Sequence, residues 1–136
     1  LDEDQRYWFA KTVVAMVMVD EHIEIHERAF LHSALRLLTS QERVQKLEEA
    51  ILLGKIPPIT PIRLSEEDSK NILESLINVA TIDRDFDKRE EKLFQQIGNA
   101  LDVDDKFIQG TIKLGHTRIQ QFRANQLRAP NVRARV

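Results

Sequence analysis

Residues 14–38, VAMVMVDEHIEIHERAFLHSALRLL, and residues 77–101, INVATIDRDFDKREEKLFQQIGNAL, carry one pattern written twice at an offset of 63. Asp20 falls on Asp83, Ile23 on Phe86, Glu24 on Asp87, Glu27 on Glu90 and Phe30 on Leu93. The shared order is an apolar helix, Asp, two variable residues, an apolar residue, an acid, two variable residues, Glu and a second apolar helix. A repeat of this kind is a supersecondary unit that cannot bury its apolar face alone. Two matching helical hairpins predict a pseudo-twofold bundle in which one packs on the other. With only two copies in 136 residues, this is duplication inside one domain and not a solenoid.

The rest of the chain agrees with an all-α, compact bundle of about six helices. Its periodicity is helical almost throughout. Tyr7 to Val19 is apolar on nearly every side after Lys11, which predicts a first helix through the centre of the core. A second spans about 24–38, with Phe30, Leu31, Ala34, Leu35 and Leu38 on one face. Ser40 caps a third that carries Val44, Leu47 and Ile51 and stops at Gly54. The connector KIPPITPI cannot be helical. Ser65, followed by Glu66, Glu67 and Asp68, opens a fourth helix, with acids facing its positive end. A fifth runs from Asp87 to Leu101, and a sixth from Asp105 to about Leu127. The expected organisation is one helical domain over 1–128, with repeats at about 5–54 and 65–127. Residues 129–136 would be a tail or a linker to a further domain.

Composition narrows the function classes. Four glycines are too few for an all-β sandwich with its many turns. Cysteine is absent, so disulfides and thiolate metal sites are excluded. The longest apolar run, Val13 to Val19, is far below the roughly 18 residues of a membrane span. The chain opens at Leu1 and not at methionine, which points to a piece of a longer protein. Net charge is −2, but from Lys106 onward there are seven Lys or Arg and no acid. Such asymmetry suggests an interaction segment.

The turns VDEHIEIHE and IDRDFDKRE lie where the tellurite-resistance TerB family has its usual Asp-Gly-x-Ile-x-x-x-Glu turns, and the chain resembles that family over roughly residues 5–125. It departs from the pattern at Glu21 and Arg84, which stand where glycine commonly follows the Asp. The resemblance implies a small all-α bundle acting as an interaction or sensing module in a bacterial cytoplasm, in stress response or as a domain of a larger protein. It also implies two alternatives: metal binding at the acidic turns, and a co-chaperone-type domain normally fused to a J domain. The His-Pro-Asp tripeptide of a J domain does not occur in this sequence.

The acidic turns admit two readings. Asp87 and Glu90 have the spacing of a capping box, which satisfies the first-turn N–H groups of the fifth helix. Alternatively, Asp83, Asp85 and Asp87 alternate as hard oxygen ligands do, with Glu90 closing the set around a divalent cation. If the repeats bring their turns together, Asp20, Glu24 and Glu27 would join the cluster. The turn is not an EF-hand, because Lys88 stands at the glycine position and Phe94 at the bidentate-Glu position. His22 and His26, four apart, have the spacing of a helical zinc pair, although His22 falls in the turn. Otherwise no cofactor is expected. No Gly-rich phosphate loop, cysteine nucleophile or nucleophile elbow suggests an enzyme.

Lys106, Lys113, Arg118, Arg123 and Arg128 wind around their helix and form no single stripe. With few aromatic platforms beside them, they give no strong nucleic-acid signal. The expected partner is therefore a protein or a second copy, with these residues either solvated or docked on an acidic surface.

Overall fold

The computed structural model describes residues 2–19, 25–81 and 86–133, without the side chains of 25–27, 30 and 126–133. Its regular structure is helical: α1 (Glu3–Met18), α2 (Ile25–Arg36), α3 (Gln41–Leu53), α4 (Glu66–Thr81), α5 (Lys88–Ala100) and α6 (Asp105–Arg133). The starts of α1, α3 and α4 have local reasons. Asp2 accepts from the Gln5 N–H at 2.8 Å while Gln5 accepts from the Asp2 N–H at 2.9 Å. This reciprocal cap starts α1 four residues before the expected Tyr7. Ser40 and Ser65 accept from the N–H groups three residues on, at 3.3 and 3.1 Å, as their positions predict.

The duplication runs further than a hairpin. α1 and α4 begin and end 63 residues apart, α2 and α5 begin 63 apart, and α3 and α6 begin 64 apart. Each repeat is therefore three helices, with a one-residue slip before the third. Burial follows the same register. Ala10, Val13, Val14, Met16 and Val17 are buried on α1, and their counterparts Leu73, Leu76, Ile77, Val79 and Ala80 are buried on α4. Leu31, Ala34 and Leu38 match Phe94, Ile97 and Leu101 in the same way.

α1 and α4 are the seam between the repeats and pack on each other. α1 also carries α2, α3 and α5, and α4 carries α5 and α6. A helix with neighbours on all sides has no face for solvent, which is why Val13 to Met18 is a continuous apolar run. The connector is pinned near its C-terminal end. Trp8 Nε1–H donates to the Thr60 carbonyl at 2.7 Å, and the Ile62 N–H donates to the Ala100 carbonyl at 3.1 Å.

A residue-level echo of the repeat survives with its partners exchanged. Arg43 of α3 lies over the Tyr7 ring of α1 at 4.7 Å, whereas Lys70 of α4 lies over the Phe107 ring of α6 at 5.2 Å. Tyr7 and Lys70 are equivalent positions, so ring and cation have changed places.

α6 departs from expectation at its far end, continuing through Pro130 to Arg133 instead of stopping near Leu127. Proline removes one N–H and leaves one upstream carbonyl without its helical partner. Near a helix end such carbonyls can be satisfied by water instead.

Candidate functional site

At the second acidic turn the backbone uses the carboxylates. Asp87 is the N-cap of α5 and accepts from the Glu90 N–H at 3.0 Å; Glu90 reaches back to the Asp87 N–H at 3.4 Å. Arg89 pairs with the other Asp87 oxygen at 3.4 Å. Glu90 is only 2 % exposed. Beside it, buried Phe86 meets Phe94 edge-on with centroids 6.3 Å apart, and the His116 ring of α6 tilts over Phe86 at 5.1 Å. His116 also hydrogen-bonds Glu91. The start of α5 is thus packed by Phe86 and capped by Asp87 and Glu90.

Of the six residues expected to gather a cation, Asp87 and Glu90 are brought together, as a reciprocal cap. Asp20, Glu24 and Asp83 lie outside the described residues, as does the side chain of Glu27. The same is true of His22 and of the His26 side chain in the zinc pairing. Among the described residues no three His, Asp or Glu side chains are grouped to hold a metal ion.

A different feature stands out on the first repeat. α2 and α3 both lean on α1, yet they pack little on each other, whereas α5 and α6 are closely packed. The residue equivalent to Leu35 marks the difference. It is Gly98 on α5, where an added Cβ would lie 2.5 Å from Ile108 Cδ1 of α6. Glycine lets α5 and α6 close, whereas Leu35 at the matching place on α2 lines an open space beside α3. Between them runs a groove of about 410 Å³. It is lined by Leu31, Leu35, Ile51 and Leu52, with Arg28 and His32 contributed by α2 and Glu48 by α3. Leu52 is 87 % exposed, and Leu37, Leu53 and Ile56 beside this hairpin are also exposed. Sequence reasoning placed Leu31, Leu35 and Ile51 on the inner faces and passed over Leu52. The available signal was the pair Leu52-Leu53, apolar residues left over once the Val44, Leu47 and Ile51 stripe is satisfied.

A larger cleft, about 1090 Å³, lies where the connector passes the first turns of α4 and α6. Its rim mixes Arg63, Lys70 and Lys106 with Glu66, Asp102 and Asp104. Lys70 and Glu66 already pair at 3.0 Å.

Perturbed titrations fall elsewhere, at the α1–α3 junction. Arg43 is raised by its hydrogen bond to Asp4 at 2.5 Å, against some desolvation. At Glu3 desolvation would raise the pKa, but hydrogen bonds from Thr39 and Ser40 together with Arg6 hold it below the usual carboxylate range. Lys11 is lowered by partial burial and by the neighbouring Arg43 charge. Structural ion-pair clusters shift pKa values as catalytic sites do, and this one lines neither cleft.

On α6 the basic residues are spread around the helix. Arg118 is tied to Asn78 of α4 at 2.6 Å. Among the described residues no helix is long and apolar enough to cross a membrane. No protein-family model matches the chain, and no curated protein or solved structure matches it either.

Proposed function

We propose that the chain is a non-enzymatic helical interaction module whose α2–α3 groove receives an amphipathic partner helix. The observation that carries this reading is the distribution of exposed apolar side chains. Among the described residues, Leu37, Leu52, Leu53 and Ile56 lie in or beside this one hairpin, and only Leu114 lies elsewhere. Apolar side chains gathered around a groove mark docking surfaces, and a groove between two helices suits a third helix with anchors at helical spacing. The walls suit a helix with acids on one flank, towards Arg28 and His32, and bases on the other, towards Glu48. The pairing of Glu91 with His116 is an acid–base contact, but it lines neither cleft. The TerB resemblance adds to this proposal a role in bacterial stress response, in the cytoplasm, as one domain of a larger protein.

The test is a photoreactive side chain at Gln45, an exposed position one turn before the groove, introduced with and without Leu52→Glu. A discrete cross-linked adduct in cells that collapses with Leu52→Glu, at unchanged melting temperature, is the expected result. An adduct indifferent to Leu52→Glu, or none at all, removes the groove from the account.

A further inference from the structure

The groove walls carry opposite charge, and among the described residues neither side is paired. Arg28 and Glu48 line the same groove, yet neither makes an ion pair or hydrogen bond among the described residues. We infer that the occupant of this groove is the same groove of a second copy, packed about a two-fold axis that runs along it. The inference rests on the α2–α3 groove as a docking surface and replaces a single partner helix with the α2–α3 pair of a second copy.

Charge chooses the axis. Two copies can be laid face to face about a two-fold running either along the groove or across it. An axis across the groove sets α2 on α2, with Arg28 against Arg28. That arrangement opposes like charges and is disfavoured. An axis along the groove sets α2 of each copy on α3 of the other, so Arg28 meets Glu48 twice and the leucines meet in the middle. This is the self-complementarity that an isologous interface requires. The intermolecular α2–α3 contact then supplies the closure that α5 and α6 achieve within the chain through Gly98. Because the apolar area is confined to one hairpin, the interface falls at the small end, where association is weak and reversible.

Sedimentation equilibrium on the full chain, from about 10 μM to 1 mM, tests this. The wild type should show a concentration-dependent monomer–dimer equilibrium. Arg28→Glu alone and Glu48→Arg alone should each weaken it by at least about tenfold, since each dimer then contains two like-charge contacts. Mixed in equal amounts, the two variants should form a heterodimer tighter than either homodimer, because every contact is again opposite in sign. Combining both changes in one chain should restore the wild-type dimer. Both residues are exposed, so the variants should melt with the wild type.

A monomer at every concentration overturns the inference, as does a dimer that ignores both reversals. The docking reading fails separately. A chain that stays monomeric at 1 mM but still gives an adduct sensitive to Leu52→Glu, at the mass of a different protein, keeps the groove as a docking site and loses only the self-association. Loss of both the dimer and the groove-dependent adduct removes both.

Discussion

Asp87 shows how much one residue's role depends on which group reaches it first. Its carboxylate is taken by the Glu90 N–H and Arg89, so its contribution is that of an N-cap. Asp87→Ala should cost about 1 kcal/mol, a fall of roughly 3–4 °C in the thermal midpoint for a domain of this size. The same melt run in EDTA and then in calcium, magnesium or manganese should not move for a purely capping role. A cation shift present in the wild type and missing in Asp87→Asn would instead make the turn an ion site. Lys11 offers a prediction of opposite character. Its pKa is lowered from 10.5, so the folded state disfavours the charge. That cost is full at neutral pH, where the amine is charged folded and unfolded, and fades as pH rises through the folded value towards 10.5. Lys11→Met should therefore raise the midpoint at pH 7 and give a smaller advantage near pH 10.5. An advantage that grows with pH would contradict the assignment.

At the scale of elements, two glycines of the second repeat make a matched pair. Gly98 sits where a Cβ would press on buried Ile108, whereas a Cβ at Gly110 on α6 meets nothing within 4 Å. Alanine gains helix propensity over glycine at both, by about 1 kcal/mol. At Gly110 that gain stands alone, so Gly110→Ala should stabilise by about 0.5–1 kcal/mol. At Gly98 overpacking of about 1–3 kcal/mol opposes it, and Gly98→Ala should be neutral to destabilising. Urea titration of the two variants resolves the difference in sign. The first repeat carries Leu35 at the position of Gly98, and there the α2–α3 groove stands open.

For the molecule as a whole, the α1–α4 seam decides whether the two repeats behave as one. The seam buries Val14, Val17, Leu73 and Ile77 at 1 % exposure or less, and Trp8 ties the first repeat to the connector. Trp8, the single tryptophan, therefore reports on the first repeat while far-UV circular dichroism reports on all six helices. Their urea transitions should coincide. A tryptophan transition that precedes the loss of helix would mean that the repeats unfold separately.

The sequence by itself determined the class of fold, about six helices and several of their ends, because these depend on local matters: apolar periodicity, Ser40, Ser65 and Asp87 at helix starts, Gly54 at a helix end. It also showed the duplication, since equal positions in equal environments keep similar residues. Tertiary structure decided what local rules cannot reach. For Asp87 and Glu90 the spacing suits a cap and a cation site alike, and the atomic geometry shows the cap, with the Glu90 N–H donating to Asp87 at 3.0 Å. The third helix of each repeat escaped the alignment because a one-residue slip breaks the offset there. The groove was invisible for a deeper reason. Leu35 reads as an ordinary inward leucine, and only the way α2 and α3 both lean on α1 leaves it lining an open groove.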